Sequence, residues 1–135
     1  MKYSIIILCA GLGSRFKDKT KKLPKGLLKL KKKELLLWQL ENIFKSKIKI
    51  KDFHIVTGFK SNLIQNFYKR KIRNTKLYFH HNKLFNQTGC ISSFFIGIEN
   101  VENNIIYFNS DLVVSNKVLN KIVSNRNNCI PCRKK

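Results

Sequence analysis

Behind an apolar run near the N-terminus, the sequence sets two glycines, a guanidinium and several ammonium groups close together. The segment reads Leu8-Cys9-Ala10-Gly11-Leu12-Gly13-Ser14-Arg15-Phe16, then Thr20-Lys21-Lys22-Leu23-Pro24-Lys25. Glycines after a buried strand let the backbone turn tightly and bring its N–H groups against phosphate oxygens with no Cβ in the way. Arg15 offers those oxygens a planar fork of donors, and Lys25 a compact positive charge from the far side of the loop. Downstream, a second apolar run ends at Asn109-Ser110-Asp111. A lone carboxylate there suits Mg²⁺, which takes few protein ligands and fills its shell with substrate phosphates and water. The ordinary role of such an aspartate is to enter a turn or helix. Taken together, these residues describe a site for handling phosphate.

Other patterns are weaker. Gly11-x-Gly13 alone marks little more than a turn. The dinucleotide fingerprint wants a small residue where Phe16 stands, and no Gly-Lys-Ser/Thr closes the segment as a P-loop. Cys129-x-x-Cys132 encloses Pro131 and has no second ligand pair nearby, which disfavours zinc. His80-His81 reads as a solvated pair at a strand end, and Trp38 as a core residue. Lys31-Lys32-Lys33 and Lys69-Arg70-Lys71 read as solvated charge runs.

The elements that must position these residues follow from the apolar patterning. Tyr3 to Ala10 suits a strand buried on both faces. A lysine-rich loop from Gly11 to about Lys33 leads to a helix at about Glu34 to Ser46, with Leu36, Leu40, Ile43 and Phe44 on one face. Phe53 to Thr57 reads as a strand, Gly58 as a turn, and Ser61 as the N-cap of a helix through about Tyr68. Lys76 to His80 is a third strand. The polar loop His81 to Gly89 precedes a helix at Cys90 to Glu99, where Ile91, Phe94, Phe95 and Ile98 recur at helical spacing. Ile105 to Phe108 is a fourth strand, Asn116 to Ser124 a helix burying Val118, Leu119, Ile122 and Val123, and Cys129 to Cys132 the start of a fifth strand. Alternating strands and helices imply right-handed crossovers and a mostly parallel sheet covered on both faces. Ligands in such sheets sit beyond the carboxyl ends of the strands, where both the glycine loop and Asp111 fall.

Length and composition bound the rest. A chain of 135 residues with 43% apolar content fits one domain with a real core. The 28 Lys and Arg against 7 Asp and Glu give a formal charge of +21, a field that draws in anions. Lysine dominates arginine, and Asn and Ile are also plentiful, so drift toward A/T-rich codons accounts for much of the excess. The lysines are spread along the whole chain, and the phenylalanines fall at apolar positions, which disfavours a nucleic-acid-binding module. The apolar run after Met1-Lys2 is short for a secretory signal and lacks a cleavage pattern, and no stretch approaches a membrane span. The expected compartment is the cytoplasm, with reduced thiols and no membrane partner.

With Arg15 and Pro24-Lys25 included, the first loop resembles that of the nucleotidyltransferases that make nucleotide-activated sugars and alcohols. Further stretches are similar to their phosphocholine cytidylyltransferase-like branch. They are Leu35-Leu36-Leu37-Trp38-Gln39-Leu40-Glu41, His54 to Phe59, His81 to Thr88, Ile91-Ser92-Ser93-Phe94 and Tyr107 to Val113. The resemblance covers nearly all of the chain. It implies a Rossmann-like three-layer α/β/α nucleotide-diphospho-sugar transferase fold, with residues 1–135 forming one domain, the nucleotide-binding part. It also implies CTP or another nucleoside triphosphate as donor, a small phosphorylated acceptor, and Mg²⁺.

Carried over by position, Ala10, Gly11 and Gly13 cradle the triphosphate, with Leu8, Leu12 and Ser14 completing the nucleotide-binding segment. Arg15 steadies the leaving pyrophosphate, Lys25 binds oxygens around the α-phosphorus, Thr88 and Ser93 shape the base pocket, and Asp111 holds the metal. Gly89 stands where the branch usually has asparagine. The family continues well past this length, and its later half supplies much of the acceptor pocket and a second acidic metal ligand. Against that family the chain reads as C-terminally truncated: a fragment, a degenerate copy, or a half completed by a homo-oligomer or a partner chain. A sugar-1-phosphate or molybdopterin acceptor is a variant within the same class, and a non-catalytic nucleotide-binding subunit lies outside it.

Overall fold

The computed structural model describes residues 1–13, 22–102 and 104–125. Four parallel strands form the main sheet: β1 (Tyr3–Cys9), β4 (Ile50–Thr57), β5 (Lys76–His81) and β6 (Asn104–Asn109), in the order β5-β4-β1-β6. Between β1 and β4 come a 3-10 turn (Lys25–Leu27), the short antiparallel pair β2 (Lys29–Leu30) and β3 (Lys33–Glu34), and helix α1 (Leu35–Phe44). Helix α2 (Ser61–Lys71) joins β4 to β5, α3 (Cys90–Ile98) joins β5 to β6, and α4 (Asn116–Ser124) follows β6. The chain therefore runs from β1 outward to β4 and β5, then returns to place β6 on the other side of β1. That reversal opens a crevice beyond the carboxyl ends of β1 and β6.

The sheet is central because its inner strands are apolar on both faces. On one face Ile5, Ile7, Phe53, Ile55, Ile106 and Phe108 pack against Leu36, Leu40 and Ile43 of α1, Ile64, Phe67 and Tyr68 of α2, and Leu119 of α4. On the other, Ile6, Leu8 and Val56 meet Phe94 and Ile98 of α3. The result is the expected three-layer α/β/α arrangement. Cys9 belongs to the first core, with its sulfur 3.9 Å from the Tyr68 hydroxyl. Burial pushes the Cys9 thiol up to about 12 and the Tyr68 hydroxyl well above its ordinary value.

Several boundaries and faces depart from the patterning. Ser61 opens α2 as its first helical residue, and the N-cap is Lys60 in the left-handed conformation. The true capping serine is Ser115, whose hydroxyl accepts from the Val118 N–H of α4. On α3, Ile91 and Phe95 are 70% and 63% exposed, whereas Ser93 and Gly97 are buried. A Cβ on Gly97 would come within 2.7 Å of Val56 Cγ2, so the helix lies closest to the sheet along its smallest residues. Phe44 and Val118 are likewise exposed. The strand expected at Cys129 to Cys132, and the cysteine pair itself, lie outside the described residues.

On the same sheet face as Val56, β4 and β5 carry a polar cluster. His54 Nδ1 lies 2.9 Å from His80 Nε2, and His54 Nε2 lies 3.3 Å from Asp52 Oδ1 without hydrogen-bond geometry. Tyr78 stacks on His54 at 4.9 Å. Burial holds both imidazoles below the ordinary histidine value. No helix among the described residues is long and apolar enough to cross a membrane.

Candidate functional site

Beyond the carboxyl ends of β1 and β6 lies a cavity of about 510 Å³. Its floor is the end of β1 and the turn after it, with Leu8, Ala10, Gly11, Leu12 and Gly13 all in the lining. Gly13 takes φ 65°, a left-handed conformation that disfavours residues with a Cβ. Gly58 supports this turn from behind. A Cβ there would stand 2.7 Å from the Ala10 carbonyl oxygen and 2.5 Å from Phe85 Cβ. The bare backbone lets Phe59 N–H donate to the Ala10 carbonyl at 3.1 Å.

Two charged residues from distant parts of the chain face each other across the cavity. Lys25 begins the 3-10 turn directly after Pro24, and Gly26 is buried against Leu36 of α1. Asp111 stands in the turn after β6, which is closed by Leu112 N–H donating to the Asn109 carbonyl at 3.1 Å. The Lys25 ammonium donates to Asp111 Oδ2, joining the two walls.

The third wall comes from the loop after β5 and the start of α3: Phe85, Thr88, Gly89, Cys90 and Ser93. Asn82 organises it. This side chain is only 2% exposed, and its amide donates to Thr88 Oγ1 at 3.0 Å and to Ser93 Oγ at 3.1 Å. Its carbonyl oxygen accepts from Leu84 N–H at 3.0 Å, and Thr88 in turn donates to the Leu84 carbonyl at 2.9 Å. The hydroxyls of Thr88 and Ser93 are thereby fixed at the cavity wall.

The structure thus brings Leu8, Ala10, Gly11, Leu12, Gly13, Lys25, Thr88, Ser93 and Asp111 around one cavity. Ser14 and Arg15 lie outside the described residues. His80 and Trp38 do not line it. His80 bonds to His54, while Trp38 donates to the Leu30 carbonyl at 3.1 Å and carries the Lys33 ammonium 4.0 Å over its ring. The sequence patterns assign no role to Asn82 or to Gln39, whose amide donates to the Asn109 and Leu112 carbonyls. Gln39 stands out only as a polar residue within an apolar run, and Asn82, in a polar loop, carries no such signal. A separate hollow of about 580 Å³ opens between the 3-10 turn, the β2–β3 hairpin and α2. Its walls combine leucines and Phe67 with Lys29, Lys69, Arg70, Glu34 and Asn66, away from the glycine turn and Asp111.

As to metal, no cluster of three or more His, Cys, Asp or Glu occurs among the described residues. Among the described residues, Asp111 alone contributes a carboxylate to the cavity lining. One carboxylate fits a magnesium ion that arrives with a polyphosphate, and does not fit a caged, all-protein site.

Comparison with known proteins gives two findings. A family model described as a domain of unknown function (DUF6564) matches residues 27–135. Solved structures of nucleotidyltransferases share the fold. The CTP:phosphocholine cytidylyltransferase LicC from Streptococcus pneumoniae superposes with a TM-score of 0.67 at 24% identity, over 87% of this chain and 50% of its own. The inositol-1-phosphate CTP transferase from T. maritima gives 0.67 at 20% identity, over 82% and 44%. A UDP-glucose pyrophosphorylase from Acinetobacter baumanii gives 0.74 at 16% identity, over 92% and 52%. The chain spans about half the length of these proteins. No curated protein matches the sequence.

Proposed function

Since the chain belongs to the family described as a domain of unknown function (DUF6564) and has the fold of the nucleotidyltransferases, we propose that it binds a nucleoside triphosphate and serves nucleotidyl transfer to a phosphorylated alcohol or sugar. The observation that carries this proposal is the meeting of the Ala10–Gly13 turn, Lys25 and Asp111 around one cavity at the reversal point of a parallel sheet. Turn amides and an ammonium group favour a polyphosphate, and the hydroxyl-lined wall gives a base a polar edge to bond.

CTP is the favoured donor and a small phosphorylated alcohol, such as phosphocholine, the favoured acceptor. The stretches similar to the cytidylyltransferase-like branch support this choice, as does the presence of two CTP-named enzymes among the similar structures. A UDP-glucose pyrophosphorylase among the same structures keeps a sugar-1-phosphate as the second acceptor class.

In the reaction, an oxygen of the acceptor phosphate attacks the α-phosphorus, forming a new P–O bond. The bond from that phosphorus to the β-phosphate bridging oxygen breaks, and pyrophosphate leaves. A phosphomonoester is already ionised at neutral pH, so no general base is required. The protein contributes alignment and charge neutralisation. The Ala10–Gly13 amides hold the phosphate tail, and Lys25 shifts from Asp111 to the phosphoryl oxygens. Arg15 steadies the departing pyrophosphate. Asp111 would hold Mg²⁺, which supplies further neutralisation of the phosphate oxygens when bound.

The test is pyrophosphate release with each of the four nucleoside triphosphates against a panel of phosphomonoesters, together with direct titration of each triphosphate. Release with CTP and a phosphorylated alcohol is the expected result. Binding without turnover would leave the chain a nucleotide-binding subunit. The proposal is defeated if no triphosphate binds and no pair releases pyrophosphate.

A further inference from the structure

We propose that Gln39 is a positioning residue whose carboxamide clamps the turn bearing Asp111, and so sets where that carboxylate stands in the cavity. The inference rests on the assignment of Asp111 to the nucleotide site and adds a residue from another element that does not line the cavity. In α1, Leu36, Leu40 and Ile43 form the buried apolar stripe, and Gln39 sits within it at 1% exposure. A carboxamide in that position is unfavourable unless its polar atoms are paired.

Both donor capacities of Gln39 go to a single turn. Nε2 donates to the Asn109 carbonyl at 3.0 Å and to the Leu112 carbonyl at 2.7 Å. These two carbonyls bracket Ser110 and Asp111, and the turn is itself closed by Leu112 N–H donating to Asn109. Ser110 N–H donates to the Leu8 carbonyl at 3.1 Å, tying the same turn to the end of β1. Held at both ends by one planar group, the turn has a fixed tilt, whereas a single bond would let it hinge. Meanwhile Gln39 Oε1 is buried with no hydrogen-bond partner among the described residues. A leucine would fill the stripe without that burden, so core packing does not account for glutamine here.

The test uses the full chain and the variants Gln39→Leu and Gln39→Glu. The first readout is amide hydrogen exchange. In Gln39→Leu, the amides of Ser110 to Leu112 should exchange at least about tenfold faster, while those of Ile106 to Phe108 and the melting temperature hold. The second is CTP affinity with and without Mn²⁺. The metal-dependent gain should fall about fivefold or more, and metal-free affinity should stay within about twofold. In Gln39→Glu an ionised carboxylate repels both carbonyls, and acidification should restore part of the protection once a protonated Glu can donate.

Exchange that rises equally in the turn and in β6, or does not rise at all, overturns the clamp. So does a metal-dependent gain that survives the loss of both bonds. If the leucine variant does not fold, the glutamate variant and its pH rescue decide alone. If the unsubstituted chain binds no triphosphate, the proposed function fails, and the exchange readout still judges the clamp.

Discussion

Gly11 and Gly58 illustrate how the same residue type serves two purposes at the cavity floor. A Cβ at residue 11 meets nothing within 4 Å. Gly11→Ala should therefore leave the fold intact, and reduced freedom of the unfolded chain should stabilise it by up to about 1 kcal/mol. Under the proposed function the added methyl would stand where a phosphate approaches the backbone, so triphosphate affinity should drop at least about tenfold. Thermal melting and nucleotide titration on one preparation check both halves of this prediction, and unchanged affinity would remove the turn from the site. At residue 58 a Cβ would meet the Ala10 carbonyl oxygen at 2.7 Å. Gly58→Ala should consequently destabilise by about 1–3 kcal/mol through overpacking, visible as a lowered urea midpoint.

At the scale of elements, the β4–β5 pair carries a pH dependence of its own. Burial is the main cause holding His54 and His80 below the ordinary histidine value; Asp52 pulls His54 the other way and Glu99 does so for His80, while Lys51 reinforces the depression at His54. The unfolded chain thus takes up these protons first as pH falls below about 6.5. The stabilisation from a neutral pair is complete above that value and is lost as pH falls through the depressed folded values. The melting temperature should decline between about pH 7 and about pH 5, and His54→Asn should flatten the slope. A slope unchanged by that substitution would assign the acid sensitivity elsewhere.

The elements also show what the sequence made legible. The main strands and helices could be read because each carries its own apolar period. The β2–β3 pair could not: its strands span two residues, and its turn uses Lys31 and Lys32 at φ 51° and 66°, where Asn-Gly would have signalled a hairpin. For α3, apolar residues occur all around the helix, so periodicity did not reveal that Gly97 rather than Phe95 faces the sheet. The glycine turn and Asp111 were visible as residue types at strand ends, and Lys25 as a cation directly after Pro24. Asn82 and Gln39 were not, because their importance lies in partners brought together only by folding.

For the molecule as a whole, the +21 charge should act on any anionic ligand. Nucleotide affinity should weaken several-fold as salt rises from about 50 mM to about 500 mM, because exposed charges are screened. Labelled duplex DNA should bind weakly, with a steep salt slope and no sequence preference, and release by physiological salt. Tight binding at that salt would favour a nucleic-acid role instead.

The contrast between two thiols has a practical use. Cys9 lies sealed in the first core with its pKa raised to about 12, whereas Cys90 is exposed and lines the cavity. In a chain carrying Cys129→Ser and Cys132→Ser, a maleimide dye should attach to Cys90 alone. Its emission would then report ligand entry in real time, without any need for turnover.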